Sequence, residues 1–551
     1  MADLDVPAIS GEPSPGPATS GEPARFDVVV VGAGFAGLYM LYRLRAMGLS
    51  AVVLEAGGGV GGTWYWNRYP GARCDSESYY YSYSFSEELQ NEWTWSERFA
   101  GSSEILSYLN YVTDKFSLRD GIVFETRVAG AEFDRDANTW KVRTTGGAAY
   151  SAQFLITAVG CLSSANVPHI DGIEKFAGDL CHTASWPREV SFRGKRVGVI
   201  GTGSTGIQAI PLLARTAGHL TVFQRTANYS IPARNRPLAA EESDAIKADY
   251  PAIRALQRST TNGHPYKIRD QSALAVSEAE RRSVYEQAWS TGTLRFRAAY
   301  RDLLSDRAAN ETASDFLRSK IRQVVKDPET AEALVPKDHG FATKRPPIDT
   351  NYFETYNRPN VTLVDLKRSP ITEITEHGLR TTSSEHELDA IVFATGFDAM
   401  TGPLLNMDIR TAGGASLRDR WREGPKSFLG LQVAGFPNMF TMTGPGSPSV
   451  LVNMPTAIEQ HVDWISDCLS FMRARAYEVV EASEEAEAKW ADAVREAADR
   501  TLLPSAASSW YLGANIPGKP RVFMPYAGGF AAYARICDDV SAREYEGFRF
   551  R

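Results

Sequence analysis

Two glycine-rich turns, Gly32-Ala33-Gly34-Phe35-Ala36-Gly37 and Gly201-Thr202-Gly203-Ser204-Thr205-Gly206, constrain the fold of this chain more than any other feature. Each follows a β-branched run, Phe26 to Val31 (FDVVVV) and Lys195 to Ile200 (KRVGVI). Each also opens a segment with apolar residues at helical spacing. A strand, a glycine turn and a helix in that order make the start of a β-α-β unit. The first glycine allows a tight turn, the second lets backbone approach a pyrophosphate, and the third lets helix and strand pack closely. Two such turns imply two dinucleotides, hence two redox carriers passing electrons within one chain.

The ends of the second strands separate the two sites. Ala51 to Leu54 ends at Glu55, a carboxylate that accepts from ribose hydroxyls and repels a 2′-phosphate, which suits the adenosine half of FAD or NAD. Leu220 to Phe223 ends instead in Gln224-Arg225-Thr226, and Arg225 offers a fork of donors matched to a 2′-phosphate, which suits NADPH. The expected fold is α/β, two Rossmann-like dinucleotide-binding domains. From about 235 to 335 the sequence turns helical and charged and reads as an insertion in the NADPH domain. Strands return near Val361–Val364 and Ala390–Phe393, the latter running into Ala394-Thr395-Gly396. This is a crossing back to the first domain, with Ile156 to Gly160 as the outward one. The expected boundaries are a disordered tail at 1–24, a discontinuous FAD domain at 25–160 and 386–551, and an NADPH domain at 161–385.

A net charge of −7 disfavours nucleic acid or an anionic membrane as partner, and no run of about 20 apolar residues exists to span a bilayer. The N-terminal stretch is rich in Pro, Gly, Ser and Ala and lacks a basic region followed by an apolar core, so no secretory signal is expected. The five cysteines, Cys74, Cys161, Cys181, Cys468 and Cys537, form no C-x-x-C pair. That argues for reduced structural thiols in the cytoplasm and against a redox disulfide or a zinc or other metal site.

Between the two turns lies FAGDLCHTASWP, in which Phe176, Gly178, His182 and Trp186 are spaced F-x-G-x-x-x-H-x-x-x-W-P. This stretch resembles the signature of the flavin-dependent Baeyer–Villiger monooxygenases, which insert one oxygen atom beside a ketone carbonyl to give an ester or lactone. The resemblance implies that the motif, His182 included, is a conformational linker rather than a proton-transfer site. GGTWYWNRYPGARCD, Gly61 to Asp75, resembles a second family signature. By that resemblance Thr63, Trp64, Tyr65, Trp66, Asp75, Ser76 and Tyr81 lie along the FAD, and Arg73 to Asp75 reach towards the nicotinamide.

Lys344-Arg345, in FATKRPPIDTNYF, resembles the segment that brings an arginine to the flavin and a lysine to the coenzyme phosphate. The chemistry needs that arginine: a flavin C4a-peroxide must persist as an anion to attack a ketone, and the adduct that follows is also negatively charged. A fixed cation stabilises both, and arginine does so without giving up a proton. Asp75, by resemblance, holds the guanidinium in place. Where the family has aliphatic residues after this arginine, the chain has Pro346-Pro347.

TGPGSPSVLVNM resembles the loop lining the ketone pocket, with Ser449, Val450 and Leu451 in the pocket and Met454 near the flavin. Ser449-Val450-Leu451 makes that loop look like the phenylacetone and steroid monooxygenase branch. LLPSAASSWYLGANIPGKPRVF resembles the mobile loop that closes over NADP, with Trp510 reaching the coenzyme. The reading is an FAD- and NADPH-dependent monooxygenase acting on aryl, cyclic or steroid-like ketones with O2, as a monomer or weak homo-oligomer. A flavin-dependent N- or S-oxygenating enzyme is the alternative. A thiol-disulfide reductase does not suit a chain without C-x-x-C, and a coenzyme-binding sensor does not suit the Arg345, Asp75 and Trp510 set.

Overall fold

The computed structural model describes residues 22–551 apart from 188 and 412. Most of the expected N-terminal tail lies outside these residues. Its last residue does not belong to a tail, because Ala24 begins the strand Ala24–Val31 and pairs with Tyr150.

Two separate sheets carry the two glycine turns, the larger one mixed, since 139–144 pairs antiparallel with both 128–134 and 149–157. In the larger sheet the strands run in the order 408–410, 128–134, 139–144, 149–157, 24–31, 51–54, 122–123, and the strand Met439–Thr441 also pairs with 149–157. Val28, Val29 and Val30 at its centre are fully buried, each contributing about 1.5–3 kcal/mol by leaving water. A run of valines with no polar alternation is what a parallel strand covered on both faces requires. The second sheet has the order 361–365, 219–224, 196–200, 390–393, 179–182, all parallel.

This sheet corrects two expectations. Ala390–Phe393 lies between 196–200 and 179–182, inside the second sheet rather than beyond a boundary at 386. Asp179–His182, expected as a linker, is the edge strand of the same sheet, and only the turn from Thr183 to Ser185 leaves it. The pattern Asp-Leu-Cys-His was too short to show strand periodicity.

The crossings between the sheets run side by side. Ala165 bridges Phe397 antiparallel, the Asn166 N–H donates to the Gly396 carbonyl at 2.9 Å, and the Thr395 hydroxyl donates to the Asn166 carbonyl at 2.5 Å. The C-terminal part returns to the first unit through the helix Met454–Ala474. Asn453 caps that helix, and Pro455 sits in its first turn, where no N–H is needed. The helix packs on Phe35–Ala46, and Asp463 accepts from Tyr39 at 2.7 Å and from Arg43 at 3.0 Å.

The region expected to be helical holds helices at 240–248, 250–259, 278–291, 307–324 and 328–334. Its core forms around Tyr285, Phe296, Phe316 and Phe341. Among the described residues no helix is long and apolar enough to cross a membrane.

Candidate active site between the two dinucleotide turns

A cavity of about 1490 Å³ runs from one glycine turn to the other. At each end a helix begins on a glycine with no side-chain cap, Gly34 before Phe35–Ala46 and Gly203 before Ser204–Thr216. The unpaired N–H groups of those first turns are suited to pyrophosphate oxygens. Gly32 and Gly201 have φ of +103° and +112°, where a side chain would be strained. A Cβ on Gly37 would fall 1.8 Å from the Gly32 carbonyl oxygen, and one on Gly206 2.3 Å from that of Gly201. These two glycines therefore serve packing behind the turns and do not line the cavity. A Cβ on Gly203 would meet nothing within 4 Å, so its space opens to the cavity. Both cradles fit a dinucleotide.

Glu55 is buried and lines the first end, and its carboxylate also fastens the turn, accepting from the Ala33 and Gly57 N–H groups at 2.7 Å each. Burial raises its pKa, against the lowering effect of those bonds. At the second end Thr202 plays the matching part, its hydroxyl donating to the Thr226 carbonyl at 2.9 Å. Ser204, Thr205, Arg225 and Thr226 line this end with Lys344. Burial, and then the nearby positive charges of Arg225 and Lys367, lower the Lys344 pKa against the pull of Asp338. Arg225 and Lys344 thus gather positive charge at this end of the cavity.

On the wall of the same cavity, Arg345 forks onto Asp75, with Nε 2.8 Å from one carboxylate oxygen and Nη2 2.7 Å from the other. Its remaining branch donates to the Val450 carbonyl at 2.9 Å. Each of the two side chains is 21 % exposed, and both lie on the cavity wall. Burial alone would raise the Asp75 pKa, but the charge and bonds of Arg345 hold it below the usual carboxylate range. Pro346-Pro347 keeps Arg345 off helical geometry and leads into Ile348–Asp349, which pairs with Ile231–Pro232. The two prolines thus deliver the guanidinium to Asp75 rather than displace it.

Thr63, Trp64, Trp66, Ser76, Tyr81, Met454 and Trp510 also line the cavity. Arg73 reaches it as well, but its guanidinium is turned to Glu97 at 2.6 Å and to the Phe99 carbonyl. Three expected contacts are corrected. Tyr65 lies off the wall, its hydroxyl accepting from the Gly58 N–H at 3.0 Å while its ring covers the glycines before it. Ser449 is fully buried against Met400, and Leu451 faces a second, smaller cavity. Of the linker stretch only Ala184 and Ser185 line the cavity, and Phe176, Gly178, His182 and Trp186 lie off its wall. Phe176 packs with Leu388 and Phe393, a Cβ on Gly178 would strike the Asp389 carbonyl, and Trp186 packs at a tilt against Phe192. The His182 Nδ1 accepts from the Ala184 N–H, and burial lowers the ring's pKa.

Two side chains of this site carried no sequence signal. Gln208 clips the cofactor loop to the second glycine helix, accepting from the Tyr69 hydroxyl at 2.7 Å and donating to the Arg73 carbonyl at 3.0 Å. His264 lies 3.1 Å from the Ser76 hydroxyl and is driven to a pKa of about 3 by burial and by Arg345, so it is neutral.

Two dinucleotide cradles, each at the end of parallel strands of its own sheet, with an arginine–carboxylate pair between them, define a two-nucleotide flavoprotein oxidoreductase. The model of the pyridine nucleotide-disulphide oxidoreductase family matches residues 29–269. The disulphide chemistry in that description has no counterpart among the described residues, where all five cysteines are free and buried. A phenazine N-monooxygenase of Lysobacter antibioticus is 43% identical over 95% of this chain and 96% of its own length, and a Baeyer-Villiger monooxygenase of Pseudooceanicola batsensis has the same identity and coverage. A solved steroid monooxygenase bound to NADP is a nearer sequence match than either: 52% identical, TM-score 0.91, covering 96% of this chain and 99% of that one. The chain belongs to the Baeyer–Villiger monooxygenase family of FAD- and NADPH-dependent enzymes.

Proposed function

We propose that this enzyme converts aryl, cyclic or steroid-like ketones to esters or lactones with O2, and that Arg345 is the residue on which oxygen transfer depends. The observation that carries the reading is the forked Asp75–Arg345 pair on the wall between the two nucleotide turns. Bound FAD, reduced by NADPH, supplies the activated oxygen. The chain supplies position and charge. Arg345 faces the negative charge that develops on the oxygen being delivered and on the ketone oxygen. Asp75 fixes the orientation of the guanidinium, and the Val450 carbonyl limits its rotation. Trp510 and its loop exclude water once the coenzyme is seated. Gly32, Gly34 and Glu55 hold the FAD, and Thr202 to Thr205, Arg225, Thr226 and Lys344 hold the NADPH.

Purified FAD-loaded enzyme, supplied with NADPH, ¹⁸O₂ and a panel of aryl, cyclic and steroidal ketones, is expected to yield an ester or lactone carrying one labelled oxygen. The 43%-identical phenazine N-monooxygenase supports a second reading, oxygenation at nitrogen. Aromatic N-heterocycles therefore belong in the same panel. Labelled N-oxide with no ketone product would replace the first reading with the second.

Coenzyme choice gives a separate prediction. Arg225→Ala and Lys344→Ala are each expected to raise the KM for NADPH about 10- to 100-fold, the loss of a charge-assisted bond to phosphate, while the KM for NADH stays nearly unchanged. Equal effects on both coenzymes would remove these residues from the 2′-phosphate site.

A further inference from the structure

The turn Leu294–Ala298 (LRFRA) places two arginines on either side of a buried phenylalanine. Phe296 is fully buried, with ring centroids 5.5 Å from Tyr285, 5.9 Å from Phe316 and 5.3 Å from Phe341, so the turn has little freedom to rotate. Arg295 has partners: Glu77 at 3.9 Å and the ring of Tyr266 at 5.4 Å. Arg297 has none. Among the described residues it makes no ion pair and no side-chain hydrogen bond, and its Nε is buried without an acceptor. A largely buried guanidinium in that state is costly unless something supplies the missing anion.

The groups that act most strongly on Arg297 are Tyr266, Tyr511, Arg345 and Asp75. None of them is a free anion. Burial keeps both tyrosines protonated, Arg345 is a cation, and both oxygens of Asp75 are engaged by Arg345. Arg297 is therefore a positive charge without an anionic partner near the Asp75–Arg345 pair.

Arg297 lines the second cavity, of about 130 Å³, together with Asn262, Leu451, Val452, Thr501 and Tyr526. No acidic side chain lines it. Val452 lines the large cavity too, so the two cavities adjoin at the pocket loop, two residues past the Val450 carbonyl that holds Arg345. A volume of this size is close to that of a cavity holding benzene, about 150 Å³, so it accepts a short substituent rather than a second substrate.

We propose that Arg297 is a specificity-determining residue that binds a carboxylate carried on the ketone, at the far end of a short arm reaching past Val452. The inference rests on the ketone-oxidising reading above and names a substrate class for it: keto acids, or ketones bearing a comparable compact anion. A charged arm seated on Arg297 would orient the carbonyl at Arg345 from the opposite side of the pocket loop.

The test uses FAD-loaded full-length enzyme and a matched pair of ketones, 4-phenyl-2-butanone and its ring carboxylate 4-(3-oxobutyl)benzoate. The wild-type enzyme is expected to favour the carboxylate through KM. Arg297→Gln is expected to raise KM for the carboxylate about 10- to 100-fold, the loss of a charge-assisted hydrogen bond, with kcat and the neutral ketone's KM nearly unchanged. Arg297→Lys, which keeps the charge, is expected to retain part of the preference and guards against misfolding of the first variant. A wild-type enzyme indifferent to the carboxylate, or an unchanged preference in Arg297→Gln, would overturn the proposal. Titration of 4-phenylbutyrate against the bound-flavin absorbance separates the two readings, because it needs no turnover. Tight binding lost in Arg297→Gln, with neither ketone oxidised, would keep the anion site and sink the ketone reading. Absent or variant-independent binding, with the neutral ketone oxidised, would do the reverse.

Discussion

Arg345→Ala is expected to leave reduction of the bound flavin by NADPH at close to its normal rate while ester formation falls about 100- to 1,000-fold or more, the usual loss when a preorganised charge stabiliser is removed. The two steps separate because the hydride arrives through the coenzyme, held at the second glycine turn, whereas oxygen transfer builds negative charge beside the guanidinium. The variant also strands Asp75 as a buried carboxylate without its partner. Breaking a buried pair from one side costs about 3–5 kcal/mol, and the 21 % exposure of both side chains puts this case at the lower end. Arg345→Lys separates charge from geometry, since an ammonium cannot span both Asp75 oxygens and the Val450 carbonyl. Absorbance-monitored flavin reduction together with product analysis checks the prediction, and a normal ester yield from Arg345→Ala would sink it.

The pair also sets an expectation for pH. Asp75 has a folded pKa below its unfolded value, so its stabilising contribution is complete above the unfolded pKa and disappears as pH falls through the lower folded one. From roughly pH 5 upward the pair stays ionised. Any acid limb in the pH–rate profile at neutral pH therefore belongs to another group, and His264, already neutral, does not supply it.

The glycine turns and the crossings at Ile156–Gly160 and Ala394–Gly396 were legible because each depends on backbone geometry confined to a few consecutive residues. The edge strand Asp179–His182 was not. Its four residues pair with Ala390–Phe393, more than two hundred positions away, and gain their order from that partner rather than from local pattern. Gln208 was equally silent, since a glutamine on an amphipathic helix reads as a solvated position. Only the docking of the Tyr69–Arg73 loop turns it into a clip. Tyr65 was read wrongly because an aromatic run gives no sign of which rings turn inward, and here Trp64 and Trp66 reach the cavity while Tyr65 caps the preceding glycines. Arg297 was invisible for the opposite reason: it sits in a charged helical region, where an arginine without a partner looks like any surface cation.

Two single-methyl variants of the second turn are expected to fail in different ways. In Gly206→Ala the added Cβ would lie 2.3 Å from the Gly201 carbonyl oxygen, a backbone atom that cannot yield without opening the turn. Overpacking of this kind costs about 1–3 kcal/mol, more than the gain of up to about 1 kcal/mol from alanine inside a helix. The variant should melt earlier and bind NADPH poorly. In Gly203→Ala the backbone is ordinary, with φ of −80° and ψ of −169°, and the methyl would meet no protein atom within 4 Å. Its melting temperature should hold, and the KM for NADPH should still rise about 10-fold or more, a cost of roughly 1.4 kcal/mol, because the methyl occupies the space in which the pyrophosphate approaches the helix N-terminus. Thermal denaturation and coenzyme kinetics on both variants distinguish the two effects. A normal NADPH KM in Gly203→Ala would mean that the coenzyme does not lie over this turn, and the assignment of Thr202 to Thr205 would fall with it.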